Sequence, residues 1–162
     1  MYHFLSGYTS KVSGTEQGID APEATFSACF GQPFLVLHPI RYAKMLAQRM
    51  EQHNANAWLI NTGWTGQSYL HGRRCPLRYT RAILDAIHDG SLLNEEYEIL
   101  PVFQLRIPKG CRGVPTELLN PARAWVGSLM EFERETLQLA ELFRKNFMKY
   151  HDRDQTTDDL LV

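Results

Sequence analysis

Residues 129–150 hold the longest stretch of one unbroken period in the chain. Phe132, Leu139, Phe143, Phe147 and Tyr150 recur on one face of a helix, and Glu131, Glu133 and Glu135 crowd its N-terminal end, where carboxylates meet the positive end of the helix dipole. A helix of this kind needs other elements to cover its aromatic stripe. Several upstream segments offer themselves. His38-Pro39 opens a second helix, since proline suits the first helical position, and Tyr42, Ala43, Leu46, Ala47 and Met50 follow on one face, with Arg41, Lys44, Arg49 and Glu51 outside. Asn54 breaks it. Ala57-Trp58-Leu59-Ile60 reads as a short buried strand. Thr80 is placed to cap a third helix carrying Ile83, Leu84 and Ile87 inward, with Gly90 just past its end. Phe103 to Ile107 alternates apolar and polar between Pro101 and Pro108, the period of a half-buried strand. Residues 1–35, rich in glycine, serine, threonine and aromatics, read as loops and short extended pieces, and the residues after Tyr150 as a frayed tail. The expected fold class is mixed α and β (α/β), with helices packed on a small sheet.

The 162 residues amount to one domain's worth of chain, 44% hydrophobic and 22% charged, so a disordered or fibrous class is excluded. With 17 basic against 18 acidic residues the net charge is −1. A dedicated nucleic-acid binder carries a basic excess, so no nucleic-acid partner is expected. No apolar run reaches the roughly 18–20 residues of a membrane span, and the N-terminus lacks a basic region followed by a long apolar stretch. Cys29, Cys75 and Cys111 are odd in number and widely spaced, which suits reduced thiols better than a disulfide framework or a C-x-x-C metal site. The expectation is a cytoplasmic chain with no membrane partner.

The densest polar feature is Gly72-Arg73-Arg74-Cys75-Pro76-Leu77-Arg78-Tyr79-Thr80-Arg81. Four of the chain's twelve arginines lie within nine positions, directly before a helix start. Guanidinium forks and free helix N–H groups together suit a phosphate. The same residues read equally well as a solvated basic face answered by Asp85, Asp89, Glu95, Glu96 and Glu98. Thr9 to Pro22 is a polar loop with two glycines, by composition an ordinary surface loop, with a mobile flap as the functional alternative. G-x-x-x-x-G-K-[ST] is found nowhere. His3, His38, His53, His71, His88 and His151 show no metal-ligand spacing, and no nucleophile motif is present. The residues by themselves offer an anion site and no catalytic apparatus.

A family resemblance runs through these segments. Tyr2-His3-Phe4-Leu5-Ser6-Gly7-Tyr8-Thr9, Lys11, Gly14-Thr15-Glu16, Phe26-Ser27-Ala28-Cys29-Phe30-Gly31, Pro33-Phe34, Leu37-His38-Pro39, Tyr42-Ala43, Asn61-Thr62-Gly63-Trp64-Thr65-Gly66 and Tyr79-Thr80-Arg81-Ala82 follow one another as in the C-terminal portion of the ATP-dependent phosphoenolpyruvate carboxykinases. The chain resembles that family across about residues 2–150.

The resemblance implies the C-terminal, nucleotide-side lobe of a two-lobed α/β enzyme that interconverts oxaloacetate and phosphoenolpyruvate, with carbon dioxide release and phosphoryl transfer from ATP, in gluconeogenesis. Arg74 and Cys75 match the loop pair that contacts the nucleotide, the arginine at the ribose–phosphate region and its neighbour near the base. Thr80 matches the threonine whose hydroxyl helps hold the nucleotide. Residues 11–22 resemble a lid, within a region of residues 1–150 followed by a tail of 151–162. The family's phosphate-binding loop, its Lys, His and Asp ligands for Mg²⁺ and Mn²⁺, and its oxaloacetate-binding arginine belong to an upstream lobe, so no catalytic residue and no metal ligand is expected in this chain. The loop departs from the family form G-G-P-Y-G-V-G: Gly66-Gln67-Ser68-Tyr69-Leu70-His71-Gly72 loses two glycines, and Gln67 and Leu70 are expected to stiffen it or crowd the ligand. A fragment inactive alone is the expectation. The alternatives are a non-catalytic nucleotide-binding module or a structural half that needs a separate N-terminal lobe.

Overall fold

The computed structural model describes residues 2–6, 8–11, 23–67 and 71–151. The chain divides into two compact units, residues 1–58 with 139–162, and residues 59–138. Residues 12–22, within the expected lid, and the tail from 152 lie outside the described residues.

The first unit begins with a single helical turn, α1 (Tyr2–Leu5), and an antiparallel pair, β1 (Tyr8–Lys11) and β2 (Glu23–Phe26), in the register Tyr8 opposite Phe26 and Lys11 opposite Glu23. Two 3₁₀ turns, Ala28–Phe30 and Gln32–Phe34, lead into α2 (Pro39–His53). Pro39 occupies the first turn as expected, and Asn54 ends the helix in the left-handed region (φ 48, ψ 43) while its amide donates to the carbonyls of Glu51 and Met50. Asparagine tolerates that conformation better than most side chains. The aromatic stripe belongs to α6 (Leu129–His151), whose residues from 139 onward lie in this unit.

Leu5, Ala28, Ile40, Ala43, Phe147 and Tyr150 form the buried cluster, with Tyr2, Phe4, Phe26, Cys29 and Leu35 packed against it. The Tyr2 ring lies 5.0 Å from Phe147, and Phe26 and His38 approach Tyr150 at 6.1 and 5.8 Å. Burial of α2 turns on Ile40 and Ala43, while Leu46, expected inside, is 38% exposed. The unit also holds apolar side chains in solvent, chiefly Phe34 and Val36, at 87% and 91% exposure.

The expected strand at 57–60 is not formed. Residues 55–60 carry no regular structure, and Leu59 and Ile60 are exposed. A strand needs a ladder partner for its N–H and C=O groups, and no described segment pairs with this one.

The second unit strings together β3 (Trp64–Thr65) and β4 (Arg73–Arg74), α3 (Leu77–His88), a 3₁₀ turn at Ser91–Asn94, β5 (Tyr97–Leu100) and β6 (Leu105–Pro108), two short helices α4 (Thr116–Leu119) and α5 (Pro121–Ala124), and the first turns of α6. Its buried side chains are Ala86, Leu92, Leu100, Ile107, Cys111 and Val114. Gly90, at φ +78, lets the chain leave α3, and the Ser91 amide then donates to Asp89 at 2.8 Å. The expected alternating strand appears at Leu105–Pro108, while Phe103 and Gln104 serve in the turn from β5. The mixed α and β class is as expected. Among the described residues, however, the strands form three separate antiparallel pairs, β1–β2, β3–β4 and β5–β6.

Candidate functional site

The arginine cluster falls on the β3–β4 pair and the start of α3. Trp64 stands opposite Arg74 and Thr65 opposite Arg73. Directly opposed cross-strand side chains lie close enough to touch, and the Arg74 guanidinium sits over the Trp64 ring at 4.6 Å from its centroid. A planar cation over an indole face gains about 0.5–1 kcal/mol at an exposed site. Cys75 continues the pairing, since its amide donates to the Gly63 carbonyl at 3.0 Å, and the Gly63 amide donates to the Asn61 side chain at 3.2 Å. The side chains of Arg73 and Arg74 are exposed and that of Cys75 is half-buried.

Thr80 does not cap α3. The helix begins at Leu77 with Pro76 as its N-cap residue, and no side chain closes that end. Pro76 holds φ at −60 and extended ψ at 132, and its carbonyl accepts the Tyr79 amide at 2.9 Å, so the first turn starts four residues earlier than the cap rule suggested. Thr80 is therefore a helical residue, half-buried, one turn in. Arg78 and Arg81 are exposed on the same turns, with Arg78 donating to the Tyr79 hydroxyl at 2.8 Å.

Three of the five acidic residues that were candidates to neutralise this cluster have other engagements. Glu96 pairs with Lys109 at 3.0 Å, Glu98 with Arg123 at 2.6 Å, and Asp89 accepts from Ser91. Among the described residues, none of Arg73, Arg74, Arg78 and Arg81 makes an ion pair with a carboxylate. Lys109 holds the Glu96 carboxyl below the usual carboxylate range, so that pair stays charged at neutral pH. The strand and the helix start that follow Gly72 thus carry four arginines with no carboxylate ion pair among the described residues.

The three cysteines are free. Burial pushes the Cys29 thiol up to about 11, and burial with Glu95 and Asp89 nearby raises Cys111. Among the described residues, no group of three or more His, Cys, Asp and Glu is placed to hold a metal ion. No described helix is long and apolar enough to cross a membrane.

Sequence reasoning singled out Arg74, Cys75 and Thr80 but missed Trp64 as the surface beneath Arg74. Its aromatic ring followed by Gly66 was visible; the register that sets it opposite Arg74 was not. Gln67 was singled out as a departure that stiffens the loop or crowds the ligand, but its partner was not legible: its side-chain amide bonds to the Val126 carbonyl 59 residues away.

The fold and the site thus define a mixed α and β chain that carries exposed guanidinium groups on a short strand pair and on the helix that follows it. The phosphoenolpyruvate carboxykinase family model matches residues 1–117. The chain belongs to that family. It is similar to the phosphoenolpyruvate carboxykinase (ATP) of Candida glabrata, 62% identical across all of this chain and 30% of that relative. It is likewise similar to the phosphoenolpyruvate carboxykinase (ATP) of Saccharomyces cerevisiae, 63% identical across all of this chain and 29% of that relative. The match to the Dictyostelium discoideum protein of the same name is 50% identical across 94% of this chain and 27% of that relative. The chain spans about 30% of the length of the first of these relatives.

Proposed function

We propose that this chain is the C-terminal, nucleotide-side part of an ATP-dependent phosphoenolpyruvate carboxykinase, converting oxaloacetate and ATP to phosphoenolpyruvate, ADP and carbon dioxide when joined to an upstream lobe. The observation that supports this reading best is the Arg74 guanidinium over Trp64, among arginines with no described acidic partner. In this reading Arg74 meets the ribose–phosphate region of ATP, Cys75 lies near the base, and the Thr80 hydroxyl helps hold the nucleotide. Residues 11–22 serve as the lid, within one functional region of residues 1–150 followed by the tail 151–162. The compartment is the cytoplasm. The exposed Phe34 and Val36 fit a surface that an upstream lobe covers.

Phosphoryl transfer depends on positioning and on metal-assisted charge stabilisation. No described cluster of this chain suits a divalent metal, and Mg²⁺ and Mn²⁺ are assigned to the upstream lobe. The purified chain is therefore inactive with oxaloacetate, ATP, Mg²⁺ and Mn²⁺. A chimera in which it replaces the matching 29% of the Saccharomyces cerevisiae relative turns over. Coupled assay of phosphoenolpyruvate formation checks both. A chimera that folds yet forms no phosphoenolpyruvate overturns the assignment, as does turnover by the isolated chain.

Thiol labelling gives an independent view of Cys75. With a pKa of about 11, Cys29 is thiolate at roughly 10⁻³ or less of the population at pH 7.5, and Cys111 is buried and raised. Iodoacetamide is expected to modify the half-buried Cys75 first, and MgATP to slow that modification several-fold, read by peptide mass spectrometry. Labelling of Cys75 at one rate with and without MgATP would remove it from the nucleotide's neighbourhood.

A further inference from the structure

The segment from Asn120 to Gly127 is anchored on both sides. On β5, Glu98 accepts from the Asn120 side-chain amide at 2.8 Å with one oxygen and from Arg123 at 2.6 Å with the other. Asn120 in turn accepts the Ala122 amide at 2.9 Å and so caps α5. Beyond it, the Trp125 ring meets Phe132 edge-on at 5.6 Å, and Ser128 and Glu131 exchange reciprocal bonds of 3.0 and 3.2 Å that close the start of α6.

Val126 lies between these anchors and is bonded to the end of β3 at two points. Its amide donates to the Gly66 carbonyl at 2.7 Å, and its carbonyl accepts from the Gln67 side-chain amide. Gly66 stands at φ +91, and a Cβ there would meet the Ala124 carbonyl and a Val126 methyl, both at 3.5 Å. Those are ordinary contact distances, so it is the positive φ that suits the position to glycine, and Gln67 is the first residue able to add a side-chain bond to Val126.

We infer that Gln67 is a positioning residue: its amide clasps the β3–β4 pair to the Asn120–Gly127 post and so holds Arg74 in place over Trp64. This rests on the reading that Arg74 faces the nucleotide. A pair of two-residue strands contributes little stability of its own, so its placement is imposed from outside. The single backbone bond to Gly66 leaves the pair a hinge. The second bond from Gln67 makes the attachment two-point, with Thr65, opposite Arg73, immediately before it. Where the resembled loop carries glycine, no side chain exists to make this bond.

Gln67→Glu keeps the shape of the side chain and removes the donor; Gln67→Ala removes the side chain. Both are made in the 162-residue chain, with amide exchange at Val126 and Cys75 followed by NMR and MgATP affinity by calorimetry. Both variants are expected to speed exchange at the two amides and to weaken MgATP by about 2- to 10-fold, the range spanned by one net hydrogen bond. Arg74→Ala serves as the binding control. Exchange unchanged in both variants overturns the clasp. Faster exchange with unchanged MgATP affinity overturns its link to the ligand. A parent chain that does not bind MgATP overturns the nucleotide reading instead, and the exchange rates then still decide whether Gln67 holds the pair.

Discussion

Phe147→Ala is expected to lower the unfolding free energy by about 3–5 kcal/mol, the range for truncating a buried aromatic. Domains of ordinary size hold only about 5–15 kcal/mol in total, so the first unit should lose most of its margin. The magnitude follows from position. Phe147 is 2% exposed, packs on the Tyr2 ring, and sits in the cluster of Leu5, Ile40, Ala43 and Tyr150. Removing its ring leaves a cavity bordered by side chains from three separate parts of the chain. Leu139, on the same expected stripe but 38% exposed, should cost about 1 kcal/mol or less when truncated. Urea unfolding followed by circular dichroism measures both. A loss below about 1 kcal/mol for Phe147→Ala would mean that the cluster does not stabilise the unit.

Saturating MgATP is expected to raise the melting temperature of the isolated chain, and Arg74→Ala to remove most of that rise. A ligand at 100 times its Kd stabilises by about 2.7 kcal/mol, which for a chain of this size corresponds to about 5–10 °C. Arg74→Lys keeps the charge but loses the planar group that lies 4.6 Å over Trp64, so it should recover only part of the shift. Differential scanning fluorimetry with and without MgATP reads all three proteins. Arg74→Ala with an undiminished shift would place the nucleotide elsewhere, and a chain with no shift at all would favour the structural-half alternative.

Local chemistry was readable where neighbouring residues decide it. Pro39 opening α2, Asn54 ending it and Gly90 following α3 each depend on backbone geometry within a turn. The reciprocal Ser128–Glu131 bonds belong to the same class, and S-x-x-E was present to be read. Thr80 misled because a good capping residue was weighed without the constraint that Pro76 places on the preceding turn. Leu59 and Ile60 misled because an apolar run shows a preference for burial but does not supply a partner strand.

The site divides along the same line. Four arginines ahead of a helix were evident from residue order alone, and so was the excess of glycine in the loop before them. Whether those arginines were neutralised by the acids downstream was not. That depended on Glu96 meeting Lys109 and Glu98 meeting Asn120 and Arg123, contacts between residues 13 to 25 positions apart.

The amino-acid order by itself determined the elements whose ends are local, the mixed α and β class and the arginine-rich approach to α3, because turn chemistry and helical period act over a few residues. Only the tertiary structure decided how much of the long amphipathic helix is buried. Phe147 and Tyr150 meet Tyr2, Phe26 and His38, more than a hundred residues earlier, while Leu139 on the same stripe stays partly in water. A hydrophobic period states which face seeks cover; cover itself is supplied by segments distant in sequence, and their arrival is a property of the folded chain.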